Sequence, residues 1–395
     1  MIKEKRELEL YLHVPFCVRK CHYCDFLSFP ASEEEMTAYC RSLEEEIRQT
    51  AEYLSVMEAS PEGGAFSPKK IRSIFFGGGT PSLLSPGQME SLMDCIRKNF
   101  PWEEDTEISM EANPGTLDGE KLAAYREMGV NRLSIGLQST KDDCLKLLGR
   151  IHTWEEFQKN YEEAGRAGFS NINIDLMSGL PGQSLAAYEE TLREVTALKP
   201  EHISAYSLIL EEGTPFYASK EIRRMLPDED TERKMYERTK EILLEGGYER
   251  YEISNYARRG RECIHNLGYW DNVPYLGFGL GASSYCNEAR FSNEQNMRAY
   301  ISRPFVPFSS RKDYDLLSEE ERMEDYMIFG LRKMVGVSLS EFARRFSRNM
   351  DEVYGKMITK YEKMGLLEIC EDRLRLTDAG IDVSNRIFEE FLLTV

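Results

Sequence analysis

Glu9 to Cys24 reads ELYLHVPFCVRKCHYC. Its first half, Glu9–Phe16, is rich in apolar and aromatic side chains, closes on Pro15-Phe16 and reads as a buried strand. Cys17, Cys21 and Cys24 follow at once as C-x3-C-x2-C, so three thiols share one short loop at a strand's end. Three such thiolates can ligate three irons of a cubane iron–sulfur cluster, whereas full ligation takes four cysteines. The missing fourth donor is informative, because it leaves one iron open to the amino and carboxylate groups of a small ligand. A Cys3His zinc site using His22 is the alternative. Its weakness is that His22 adjoins Cys21, and neighbours in sequence close a tetrahedral site awkwardly.

Outward from this stretch, five more strand-like runs recur: Ser73–Gly77, Glu107–Glu111, Arg132–Leu137, Asn171–Met177 and His202–Leu210. Amphipathic helical segments follow them or lie between them, at Ser32–Leu54, Ser85–Asn99, Asp118–Met128, Trp154–Ala167, Ser184–Leu198 and Thr231–Glu245. Ser85-Pro86, and Ser32 with Glu35, are helix-start signals; Gly129, Gly168 and Gly246 are stops. Six β–α alternations predict an α/β fold whose parallel sheet is wrapped by helices, as an open doubly wound sheet or as a barrel, whole or partial. Ser55–Lys69 is rich in Gly, Pro and Ser and reads as a flexible insertion.

The predicted organisation is a β–α unit over 1–247, a strand and aromatic, Gly-rich linker region over 248–318, and a C-terminal unit over 319–395. In the middle region Tyr248–Tyr256 reads as a strand and Arg258–Ser284 as loop. The last unit, with a helix at Met350–Met364, the hairpin-like LLEICEDRLRLTDAG and a helix at Ile381–Leu393, reads as a winged-helix-like α+β module.

Sixty-eight acidic against 50 basic residues leave a net charge of -18 over 395 residues. That balance argues against a nucleic-acid backbone as the main partner. A hydrophobic fraction of 41% with 30% charged residues excludes wholesale disorder. No apolar run approaches the roughly 18 residues that span a membrane, and the charged start shows no secretory signal. Nine cysteines in such a chain read as reduced thiols or metal ligands rather than a disulfide framework, which points to the cytoplasm. Cys40, Cys95, Cys144, Cys286 and Cys370 read as small apolar side chains.

Polar residues gather where parallel strands end, which is where such folds collect ligands. GGGTPS (Gly77–Ser82) ends the second strand, Glu111 the third and Gln138 the fourth. Asp175 lies in the fifth, and Arg150 on the helix after the fourth. Each alone reads as a cap, a turn or an ion pair. Together with the cysteine loop they resemble the radical S-adenosylmethionine (SAM) superfamily. That resemblance implies a partial (β/α)6 TIM-like barrel, a [4Fe–4S] cluster on Cys17, Cys21 and Cys24, and SAM on the open iron, where a reduced cluster cleaves it to a 5′-deoxyadenosyl radical. YLHVPFC, GGGTPS, EANP, RLSIGLQS, NIDLMSGLPGQ and HISAYSL resemble, in order, the coproporphyrinogen III oxidase-like branch. The resemblance implies SAM contacts at Tyr11, Gly78 and Glu111, and in the oxidase a second SAM near Tyr23, Gly79, Thr80, Gln138, Arg150 and Asp175.

Two departures separate subgroups of that branch. The oxidase has a further cysteine two residues after the third ligand, where this chain reads CDF with Asp25-Phe26, and it has a longer arm before the cluster. CDF and the short start resemble the heme-chaperone group instead, as does HN-x2-YW at His265–Trp270. A neutral imidazole suits heme iron, so His265 is the expected ligand of heme b. Tyr269, Trp270, Tyr275 and Phe278 are the expected aromatic surface for the ring, and the glycines between them let a loop lie flat. Cys263, with no C-x-x-C-H pattern, reads as a structural thiol; for His13 a structural and a cluster-side role are both open. The implied partners are heme and acceptor proteins such as membrane respiratory enzymes. The competing readings are a coproporphyrinogen III oxidase, a radical SAM enzyme for another substrate, and a docking protein with a vestigial cluster.

Overall fold

Six strands run parallel and in chain order: β1 (Glu7–Val14), β2 (Lys70–Gly78), β3 (Glu107–Ala112), β4 (Arg132–Gln138), β5 (Ile172–Ser178) and β6 (His202–Ser207). They belong to a computed structural model that describes residues 7–59, 70–302 and 306–393. The first strand starts two residues before the expected Glu9 and ends before Pro15, which has no N–H to donate. The sixth is three residues shorter than expected. The helices behind them are Glu33–Ala59, Pro86–Asn99, Gly119–Glu127, Trp154–Arg166, Leu185–Leu198 and Glu229–Glu245. The first helix carries through the expected insertion as far as Ala59; residues 60–69 of that insertion lie outside the described residues.

The start signals act as the sequence suggests. Ser85 accepts from Gln88 N while the Gln88 side chain accepts from Ser85 N, and Ser32 and Glu35 exchange the same pair of bonds. Gly129 and Gly168 take the left-handed backbone after their helices, at φ 106° and 90°. At the third stop the left-handed residue is Gly247, not Gly246.

Strand periodicity divides the side chains between two environments. One set, including Leu10, Leu12, Ile74, Phe76, Met110, Ile135, Ile174 and Leu176, packs with the helices into the main apolar core. The other set is polar yet buried: Glu9, Ser73, Glu107, Ser109, Arg132, Asn173 and His202. Several residues of this face hydrogen-bond across the barrel interior, as in Ser134 to Asp175 at 3.1 Å and His202 to Asn173 at 2.6 Å, while the Glu9 carboxyl oxygens have no hydrogen-bond partner among the described residues. Hydrophobic burial outside therefore holds a hydrogen-bonded polar lumen in place.

The stretch expected to be a linker is part of the sheet. Glu249–Arg250 and Asn255–Ala257 pair antiparallel with each other, and the latter pairs with β6, so the expected single strand Tyr248–Tyr256 is two short ones. The chain then forms a helix, Ile264–Trp270, against the N-terminal halves of β1 to β3, and Tyr275–Phe278 joins the far edge parallel to β1. Ser283–Cys286, Ala289–Ser292 and Lys312–Leu316 extend that edge to a twelve-stranded sheet. The glycines that suggested a flat loop serve close packing: a Cβ on Gly277 would lie 2.1 Å from the Ser283 carbonyl oxygen.

A second apolar core, built on Met327, Phe342, Ile358, Leu374 and Phe391, organises the C-terminal unit. Its helices Glu319–Gly330, Leu339–Phe346 and Met350–Lys363 precede the hairpin Leu367–Cys370 and Arg373–Leu376, to which Val337–Ser338 adds a third strand. The expected final helix is two short ones, Asp378–Asp382 and Ser384–Glu389, broken at Val383. Among the described residues no helix is long and apolar enough to cross a membrane.

Candidate cluster and cofactor site

The cysteine loop is fixed by main-chain bonds before any metal is considered. Cys17 N donates to Phe29 O at 3.1 Å and Phe29 N to Pro15 O at 2.9 Å, closing the loop on itself. His22 N donates to Leu148 O and Phe216 N to His22 O, both at 3.0 Å, which ties the loop to the segments after β4 and β6. Arg19 adds a bond to Gly149 O at 2.8 Å. His13 bonds Tyr11 OH through Nδ1 and Leu27 O through Nε2, at 3.0 and 2.9 Å. With both nitrogens used, the imidazole is a brace between β1 and the loop.

Cys17, Cys21 and Cys24 are free, half-buried thiols. They line one cleft of about 330 Å³ at the C-terminal ends of the strands, together with Tyr23, Gly78, Gly79, Glu111, Gln138, Arg150 and Asp175. Burial pushes the Cys24 thiol above its ordinary range, and metal coordination would remove that proton outright. Among the described residues no three His, Cys, Asp or Glu side chains are arranged around a single ion. A cubane is a wider target, since each thiolate binds a different iron. His22, the fourth donor of the zinc alternative, does not line the cleft, and its Nδ1 bonds Leu147 O at 2.9 Å.

Two donors reach the sulfurs. Thr80 Oγ1 donates to Cys17 Sγ at 3.5 Å and Arg150 Nη1 to Cys21 Sγ at 3.7 Å. Asn113 links them, giving its Nδ2 to Thr80 at 2.7 Å and taking Arg150 Nη2 on its Oδ1. Arg150 also donates to Gly136 O. Hydrogen bonds to cluster sulfurs are among the levers that set reduction potential, so the donor set fits a cluster chemically. Arg150 lies just past the short helix Asp142–Leu148, after the left-handed Gly149, rather than on the helix as expected. Asn113 escaped the sequence reading, although it stands two residues beyond Glu111 at the same strand end.

The glycine turn is required by β1 as well as by any ligand. A Cβ on Gly78, at φ 107°, would sit 2.3 Å from the His13 ring, and one on Gly79 would sit 2.6 Å from Phe16 O. Gly78 N donates to Glu111 Oε2 at 3.0 Å. Burial, then the nearby Asp175, pushes the Glu111 carboxyl up to about 7, against the pull of the Gly78 amide and Arg132. Asp175 is likewise raised by burial, and Asn173, Ser204 and Ser134 oppose the shift by hydrogen bonding. Gln138 takes φ 73°, where the β4–β5 register shifts. Such strain in a non-glycine residue costs on the order of 1 kcal/mol and concentrates at ligand sites.

Three expected site residues do not line the cleft. Thr80 touches it through Cys17. Tyr11 lies one layer down, its ring 6.2 Å from Phe75 and 6.4 Å from His265. His265 is 1% exposed, with Nδ1 on Ser73 Oγ at 2.8 Å and Nε2 on Tyr269 OH at 2.9 Å. Burial, then Arg132 and Arg72, lowers it to about 3, so it is a neutral ring with no nitrogen to spare. Heme ligation by His265 would therefore need one of these two bonds to break. Phe278, expected on the aromatic surface, is core.

Residues 11–195 match the family model of the radical SAM superfamily, and residues 317–383 that of the HemN C-terminal domain. The chain is 37% identical over 385 residues to the heme chaperone HemW of Lactococcus lactis, covering 97% of each chain. It is also 37% identical to the heme chaperone HemW of Bacillus subtilis over 97% of this chain and 98% of that one. Among solved structures, coproporphyrinogen III oxidase (HemN) from Escherichia coli superimposes with a TM-score of 0.83 at 23% identity, covering 99% of this chain and 91% of that one. That likeness speaks for the fold, and the thiol-lined cleft falls where the superfamily model matches. This chain therefore belongs to the radical SAM superfamily, in the HemN-like branch that includes the HemW proteins.

Proposed function

We propose that this protein is a cytoplasmic heme chaperone that carries a [4Fe–4S] cluster on Cys17, Cys21 and Cys24, binds SAM beside it, and passes heme b to acceptor proteins such as membrane respiratory enzymes. The observation that carries the reading is the end-to-end likeness to relatives named heme chaperone, 37% over 97% of the chain. Asp25-Phe26 in place of a further cysteine supports it.

In this reading each part of the cleft has a task. The three thiolates hold the cluster and leave one iron for SAM, and the reduced cluster supplies one-electron chemistry. The Gly78 turn and the Glu111 carboxylate receive the amino end of SAM. Thr80 and Arg150 hold sulfur lone pairs, and Asn113 fixes both donors. The acidic surface fits a carrier that meets membranes through a protein acceptor, because anionic lipid would repel it.

A second reading, coproporphyrinogen III oxidase, draws on Tyr23, Gln138, Arg150 and Asp175, which share the cleft. Anaerobic incubation of the reconstituted protein with coproporphyrinogen III, SAM and dithionite separates the two. The chaperone reading expects no protoporphyrinogen, and transfer of bound heme to an apo-b-type cytochrome. Turnover would replace it with the oxidase.

A further inference from the structure

Two adjoining cavities lie far from the cleft, beside the N-terminal half of β1, where Tyr275 pairs with Glu9. One, of about 230 Å³, is walled by Tyr269, Tyr275, Tyr285 and Phe329. The other, of about 420 Å³, opens toward Lys333, Arg345 and Arg373 in the C-terminal unit. Trp270 and Asn272 border both, so they form one trough between the sheet edge and that unit, in the size range of about 300–1,000 Å³ common for small-molecule sites.

The trough is amphipathic along its length. Its aromatic end is mostly ring surface, and the charges that line it, Arg290 and Asp325, pair with each other. At its polar end the acids Asp271 and Glu341 are engaged by Lys333 and Arg344, while Arg345, lying over the Tyr326 and Phe346 rings, and Arg373, with one bond from Nη1 to Gly336 O at 3.3 Å, line the same cavity in a chain of net charge -18. A flat conjugated ring with carboxylates on one edge complements both ends: aromatic faces take the ring, and guanidinium groups take carboxylates as paired bonds. Among the described residues, neither cavity is lined by histidine, cysteine or methionine.

We propose that this trough is a porphyrin site, with the ring against Trp270, Tyr275 and Phe329 and its carboxylates on Arg345 and Arg373. The placement rests on the heme-binding reading above and differs from it in one respect: the protein grips the macrocycle and its acid groups rather than the iron. His265 contributes by positioning Tyr269, not by ligation.

The test titrates heme and metal-free protoporphyrin IX into the full-length protein. The background is Trp102→Phe with Trp154→Phe, which leaves Trp270 as the sole tryptophan. Both ligands are expected to quench Trp270 and to bind within about threefold of each other, a gap below about 1 kcal/mol. Arg345→Glu with Arg373→Glu is expected to weaken both at least roughly tenfold, with an unchanged melting transition and unchanged cluster absorption. Equal binding by that double variant, or heme binding without binding of the metal-free ring, overturns the placement while the heme reading stands. Binding of neither ligand by the unsubstituted pair of arginines overturns both.

Discussion

The carboxylate of Glu107 on β3 accepts the backbone N–H of His265 at 3.2 Å. Its other oxygen takes the Ile264 N–H at 3.0 Å, so an acid from the lumen caps the helix Ile264–Trp270. Replacing it with a neutral amide keeps the size and removes the charge. Glu107→Gln is expected to cost about 1.5–3 kcal/mol, the range for hydrogen bonds to a charged group. Urea unfolding measures the loss, and hydrogen exchange should place it at residues 264–270.

Gly268 on that helix meets Glu9. A Cβ there would fall 2.0 Å from Glu9 Oε1, and Glu9 is 0% exposed. Gly268→Ala should therefore destabilise by about 1–3 kcal/mol through overpacking. Gly87→Ala is the control: nothing lies within 4 Å of that Cβ in the helix Pro86–Asn99. It should be neutral or gain up to about 1 kcal/mol. Equal losses in the two variants would contradict the contact.

Changing Cys17, Cys21 or Cys24 to Ala should abolish uptake of iron and sulfide under anaerobic reconstitution, while far-ultraviolet circular dichroism stays unchanged. The fold does not depend on the three thiols, because they belong neither to the two large apolar cores nor to the small cluster that takes Tyr23 from the loop. The readouts are iron content and the cluster's visible absorption.

Arg150 donates to the Cys21 sulfur. Arg150→Met keeps much of the stem and removes the donor, so the cluster's midpoint potential should move negative. The scale is about 59 mV for each tenfold loss in preference for the reduced form. Redox titration of the reconstituted protein checks the sign.

The Glu111 carboxyl titrates at about 7 in the folded chain and near 4.5 unfolded. Between those values the folded state holds the extra proton, so stability falls as pH rises through that window and levels off above it. The contribution of this one group is at most about 3 kcal/mol. Glu111→Gln should flatten that part of the profile, read as the difference in urea midpoint between variant and unsubstituted protein at pH 5 and pH 8.

The six strands were legible in the sequence because each apolar run is followed by a helical stretch and several stop at Gly or Pro, and the cysteine loop because its spacing is specific. Glu111, Gln138, Arg150 and Asp175 came from one rule about strand ends, and the cleft unites them. The same rule would have found Asn113. What escaped was long-range: Tyr275–Phe278 carries a glycine in its middle and borrows its partner from β1, more than 260 residues earlier. The enclosure of His265 was not legible for a related reason. Its neighbours in sequence are aromatic, while the groups that occupy its nitrogens are Ser73 and Tyr269, and Ser73 lies 192 positions away.

The run from Asn255 to Phe278 leaves the sheet beside β6, passes under the lumen and returns beside β1. That path works as a strap buckled across the base of an incomplete ring. The two margins of the ring cannot be pulled apart below without drawing the strap's buried Glu107 anchorage out of the interior, and above they are joined by the loop that carries the three thiols, through the bond from Phe216 N to His22 O. Spreading at the upper end to admit a large guest must therefore release that bond, and so shift the loop on which the three thiols stand.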